Sequence, residues 1–129
     1  MEKHEHRRHW RDYRTQSGRR PVKEFLDGLS DVDAAAVAAA MKDVRKHGTQ
    51  AARHVRGDIF EVRADADRVI YRILFAAEGR FSQVLLALEG LKKKTQKTPP
   101  ATIELAEKRL ADWQRQRGTQ SGKAPSKRR

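Results

Sequence analysis

The chain of 129 residues carries 29 lysines and arginines against 17 acidic residues, for a formal charge of +12, and contains no cysteine. That length holds one ordinary domain core, which can fold without cross-links, and the missing cysteine excludes a disulfide framework, a thiolate zinc site and a cysteine nucleophile. The longest wholly apolar run, Ala34 to Met41, falls far short of the ~20 residues of a membrane span, and no apolar stretch follows the charged first residues.

Residues 1–9 read as a flexible basic segment, in which His4, His6 and His9 have chelating spacing but no scaffold, so no metal site is expected. From Trp10 to Thr15 aromatic and charged residues alternate, a short strand signal. After the turn Gln16-Ser17-Gly18, Pro21 sits where a helix starts, and Val22, Phe25, Leu26 and Leu29 follow at helical spacing. A longer helix is expected from the N-cap Ser30. Asp31 and Asp33 lie in its first turn, Arg45, Lys46 and His47 in its last, and Gly48 just beyond, as the helix dipole and C-cap preferences require. Its stripe of Val37, Met41 and Val44 is a packing surface.

Three strands come next. Ile59 to Ala64 alternates, with Phe60 and Val62 on one face and Glu61 and Arg63 on the other. Arg68 to Ala76 is apolar on both faces, the mark of a central strand. Phe81 to Leu88 again suggests burial on both sides. The last helix is expected to be capped by Thr98 with Pro99 at its first position, and Ile103, Ala106, Leu110 and Trp113 form its apolar stripe. The tail 118–129 has a composition expected for disorder and carries four of the net charges. The expected fold is α+β: one domain over 10–117, in the order β-α-α-β-β-β-α, with helices covering one face of a small twisted antiparallel sheet.

A basic balance this strong points to a polyanionic partner, nucleic acid or a strongly acidic protein. Arg63, Arg68 and Arg72 lie on or beside strands otherwise made of core residues. Lys92, Lys93, Lys94 and Lys97 crowd the approach to the last helix. Guanidinium forks and ammonium groups are good phosphate ligands, and cross-strand neighbours come within about 5 Å, so these bases can share one groove. Taken singly, each also reads as a solvated or ion-paired side chain, with Glu61, Asp65, Asp67 and Glu89 available as partners. His54, in Arg53-His54-Val55-Arg56 just before the sheet, suits proton transfer near neutrality or is a surface histidine.

The segment Tyr13-Arg14-Thr15-Gln16-Ser17-Gly18-Arg19-Arg20-Pro21-Val22-Lys23-Glu24-Phe25-Leu26 resembles the opening of phage-derived HigB-like toxins. Phe60-Glu61-Val62-Arg63 and Val69-Ile70-Tyr71-Arg72 resemble that family's "W/F-E-V/L-R" and "Y-R" strands, and Lys93-Lys94-Thr95-Gln96-Lys97-Thr98-Pro99 is similar to its "K-K-T-Q-K-T-P" signature. The motifs run in order from about Tyr13 to Arg117. The resemblance implies a small α+β fold of the RelE/ParE superfamily of type II toxin–antitoxin systems. It further implies a ribosome-dependent endoribonuclease that cuts mRNA and stops translation. A helix-turn-helix antitoxin would be the partner, operator DNA being met only through that complex, with no membrane and no cofactor.

By the same resemblance Arg63 and Arg68 hold and stabilise the phosphate during attack by the RNA 2′-hydroxyl, and Lys93 or Lys94 adds charge at the groove mouth. Tyr71 either stacks on a base or belongs to the core. A lysine crowded by other cations is one acid–base candidate and His54, by its own chemistry, the other, and Arg56, Arg72, Lys92 and Lys97 line the RNA path. Glu89 stands where many family members have histidine, so the general base is left open among Lys93, Lys94, His54 and Glu89. A ParE-like DNA gyrase poison and a noncatalytic nucleic-acid-binding module are the alternatives.

Overall fold

The computed structural model describes residues 7–94 and 97–122, with side chains through Arg117 in the last helix. Thr95, Gln96 and residues 1–6 and 123–129, parts of the two ends (1–9 and 118–129) expected to be flexible, lie outside the described residues, and with them His4 and His6.

The elements run β1 (His9–Asp12), α1 (Pro21–Asp27), α2 (Asp31–His47), β2 (Arg53–Arg56), β3 (Ile59–Ala66), β4 (Val69–Glu78), β5 (Val84–Lys93) and α3 (Pro100–Gly122). The fold is α+β, as expected, but it differs in three respects. The sheet has five strands in the order β1-β5-β4-β3-β2, and Arg53–Arg56 is a strand rather than a loop. Its four residues show no apolar alternation because it is an edge strand with one neighbour, the kind of position that proteins fill with charge. The sheet is also mixed, since β1 runs parallel to β5, pairing His9 with Val84 and Asp12 with Ala87.

The third difference is that the helices cover both faces. Val22 of α1 and Val37 and Val44 of α2 pack with Val62, Tyr71, Ile73, Phe75 and Leu85 on one side. Ala106 and Leu110 of α3 pack with Tyr13, Ile59, Leu74, Leu86 and Leu88 on the other. This layering is why β4 is apolar on alternate residues of both faces: Ile73, Leu74 and Phe75 are all 0–1 % exposed. Burying each such side chain contributes roughly 1.5–3 kcal/mol.

The helix ends follow local chemistry. Ser30 accepts a hydrogen bond from the Asp33 N–H at 3.1 Å, capping α2. Gly48, at φ 75°, ends it. Thr98 does not cap α3, which starts at Pro100 and continues to Gly122, past the expected end of the domain at 117. Between Leu74 and Phe75 the β4–β5 register shifts by a bulge, so Leu74 faces Glu89 while Phe75 faces Ala87. No helix among the described residues is long and apolar enough to cross a membrane.

Candidate nucleic-acid interface

Register decides which bases meet. On β3, Val62 and Ala64 point toward α1 and α2, so Glu61 and Arg63 point toward α3. Arg72 stands directly across from Arg63 on β4. The bulge sets the phase of β5, and Lys93, opposite Ile70, joins this face while Lys92, opposite Tyr71, joins the other.

The α3 side of the sheet therefore gathers Arg63, Arg72 and Lys93 near the start of α3, and hydrogen bonds organise them. Glu61 Oε2 accepts from Arg63 Nε at 2.7 Å. The Thr98 hydroxyl donates to Glu61 Oε1 and accepts from Arg72 Nη1 at 2.9 Å. Glu61 is 2 % and Arg72 0 % exposed, whereas the Arg63 side chain keeps 24 % of its surface in water. Burial pushes the Arg72 guanidinium below its ordinary pKa; Glu61 opposes that shift, while Arg63 and Arg53 reinforce it. Arg53, exposed on β2, pairs in register with Glu61. A buried carboxylate bonded to Arg63 and to the Thr98 hydroxyl, which in turn accepts from Arg72, holds the partly exposed Arg63 at the rim of its strand.

The other expected site residues divide. Arg68 is exposed in the two-residue turn between β3 and β4, at the tip of the hairpin that carries Arg63 and Arg72. Lys94 and Lys97 are exposed between β5 and α3. Arg72 is too deep to line an RNA path. Tyr71, 3 % exposed, is a core residue on the α1/α2 face, where its hydroxyl donates to Asp33 Oδ2 at 2.5 Å. His54 pairs in register with Phe60 on that same face, its ring tilted against the Phe60 ring with centroids 5.1 Å apart, and donates from Nε2 to the Gly57 carbonyl at 2.7 Å. Neither Tyr71 nor His54 shares a surface with Arg63. Both nitrogens of the Arg56 fork are engaged by Glu107 of α3, the closer at 2.6 Å. Glu89 accepts from Arg109 of α3 at 3.0 Å rather than meeting a lysine.

Three residues complete the cluster beyond the expected site residues: Glu61, foreseen only as an available ion-pair partner, Thr98 and Arg53. The signal for the first two was their membership of the same short motifs as Arg63 and the lysine run. Arg53 carried none, because the strand that positions it was not legible. Among the described residues, no three His, Asp or Glu side chains form a metal-holding group.

A family model described as phage-derived protein Gp49-like matches residues 24–111, a span that contains the whole cluster. The chain is also 35% identical over 109 residues to the probable endoribonuclease HigB1 of two Mycobacterium tuberculosis strains, CDC 1551 / Oshkosh and ATCC 25618 / H37Rv. The match covers 82% of this chain and 85% of that protein.

Proposed function

The chain belongs to the phage-derived Gp49-like family and is HigB-like, and from that premise we propose that it is the toxin of a toxin–antitoxin pair, an endoribonuclease that cuts mRNA on the ribosome. The observation that carries this reading is the convergence of Glu61-Val62-Arg63, Arg72 and Thr98 on one hydrogen-bonded corner of the sheet. Three segments distant in sequence meet where a phosphate could be gripped. The reading follows the relative's name as an endoribonuclease, and a charge of +12 suits docking on a ribosome.

In the proposed reaction the RNA 2′-hydroxyl gives up its proton as its oxygen attacks its own phosphorus, the 5′-oxygen of the next nucleotide leaves and takes up a proton, and a 2′,3′-cyclic phosphate remains. Charge builds on the phosphoryl oxygens as this happens. Arg63, held by Glu61, and Arg68, at the hairpin tip, meet that charge, and Lys93, Lys94 and Lys97 border the same corner. Pre-positioned cations need no rearrangement at the moment of reaction, which is the main source of such stabilisation. Arg72 acts as a positioning residue from beneath.

One observation favours a second reading, a noncatalytic RNA-binding protein: Arg63 is already paired with Glu61 at 2.7 Å, so a phosphate must compete for it. Induced expression separates the two. Wild type is expected to arrest growth and to leave cyclic-phosphate ends on mRNA bound to programmed ribosomes, and the Arg63→Ala/Arg68→Ala variant to do neither. Intact mRNA with the wild-type protein overturns the nuclease reading. An antitoxin, expected to be a helix-turn-helix protein, would restore growth when co-expressed.

A further inference from the structure

Away from this corner, a groove of about 860 Å³ opens between the edge strand β1 and the C-terminal half of α3. Arg11, Arg14, Arg20 and Arg117 line it together with Trp10 and Trp113, and these are both of the tryptophans in the chain. Trp10 is fixed: its indole N–H donates to the Met41 carbonyl at 2.8 Å, and its ring meets Phe75 edge-on at 5.0 Å. Arg117 lies over the Trp113 ring at 4.9 Å. Arg20 is held by a fork to Asp12, the closer contact at 2.6 Å. Among the described residues, Arg11 and Arg14 carry no ion pair.

We propose that this groove binds single-stranded RNA independently of cleavage, through its phosphates at Arg11, Arg14 and Arg117 and through a base against the Trp113–Arg117 stack. The chemistry selects the ligand class. All four cations are arginines, which grip phosphate by a planar fork and lie flat on rings. Indole surfaces beside cations are the recurring platform for unpaired bases, where stacking does not depend on sequence. An acidic polypeptide would satisfy the charges but leave the indole faces without a matching plane. The groove lies about 25 Å along α3 from its start beside Thr98, at 1.5 Å per residue. A strand bound here would thus be held several nucleotides from the Arg63 corner.

The test uses the full chain and a 2′-O-methyl RNA oligonucleotide, which cannot be cut by 2′-hydroxyl attack, so it reads binding whether or not the protein is a nuclease. Because both tryptophans line the groove, binding is expected to quench tryptophan emission. Arg11→Ala/Arg14→Ala/Arg117→Ala is expected to weaken binding tenfold or more, to remove the quench, and to lower the slope of log affinity against log salt by about 2, at roughly 0.7 per lost phosphate contact. The charge-matched Lys42→Ala/Lys46→Ala/Lys108→Ala variant should bind within threefold of wild type and keep the quench. Equal weakening by the two triple variants overturns the proposal in favour of diffuse attraction. Tryptophan quenching by polyglutamate but not by the RNA overturns it in favour of an acidic protein partner.

Discussion

Arg72 and Thr98 are joined at 2.9 Å, Nη1 to hydroxyl, and through that bond the middle of the sheet is tied to the segment that leads into α3. Thr98 also holds Glu61, so one hydroxyl bridges a buried cation and a buried anion. Removing it leaves both short of a partner in a place where water cannot substitute freely.

Thr98→Val keeps the shape and deletes the hydroxyl. We expect it to destabilise the fold by about 1–3 kcal/mol, read from urea midpoints, and to lower RNA cleavage by at least tenfold as Arg63 loses its fixed support. Thr98→Ser should retain most of both. A Val variant as active as wild type would remove Thr98 from the site.

Arg68 sits at φ 63°, in the left-handed region that costs a non-glycine residue about 1 kcal/mol or more. Arg68→Gly is therefore expected to raise the melting temperature by a few degrees while reducing cleavage about tenfold, the worth of one charge-assisted hydrogen bond. Stability and activity would move in opposite directions. A variant that is more stable and equally active would show that this arginine does not meet the phosphate.

Gly90 faces the Phe25 ring of α1 so closely that a Cβ there would lie 2.3 Å from it. Gly90→Ala must push α1 away from the sheet, at an expected loss of about 1–3 kcal/mol. Gly90→Ala/Phe25→Leu should recover part of that loss, seen as a non-additive double-mutant cycle in urea unfolding.

Tyr13 donates to Asp112 Oδ2 at 2.5 Å, linking the end of β1 to α3. This bond holds Asp112 below its ordinary value of 3.8. Burial, then the same bond, holds Tyr13 above its ordinary 10.0. The folded state thus prefers the carboxylate and the phenol. The Asp112 contribution is full above pH 3.8 and fades as pH falls through its lowered value; the Tyr13 contribution is full below pH 10.0 and fades as pH rises through its raised value. Tyr13→Phe is expected to cost about 1 kcal/mol at pH 7 and to flatten the loss of stability below pH 4, measured by urea unfolding across pH.

Much of this architecture is legible from the residues because local rules and burial agree there. Ser30, the acids after it and Gly48 bound α2, and two-sided apolarity marks β4 as central. What local patterns missed was set by long-range pairing. A charged edge strand such as β2 shows no periodicity of its own, and neither does a parallel partnership between β1 and β5. The site shows the same division. Glu61, Arg63, Arg72 and Thr98 stand in recognisable motifs, yet simple alternation from Val84 would put Lys92, not Lys93, on Arg63's face. The bulge at Leu74/Phe75 reverses that phase, and nothing in a run of lysines announces a bulge. For Tyr71 and His54 two readings stood open, and burial and register decide between them: Tyr71 belongs to the core and His54 lies exposed, both on the α1/α2 side of the sheet rather than beside Arg63.

The parallel seam between β1 and β5 has a temporal consequence. Among the described strands the first in the chain is the partner of the last, and almost the whole domain must be made before the two can pair. Thr98 and α3 come later still, so the corner that would grip RNA cannot close on a nascent chain. The order of assembly therefore sets when that corner is complete: only once the C-terminal helix is free to pack.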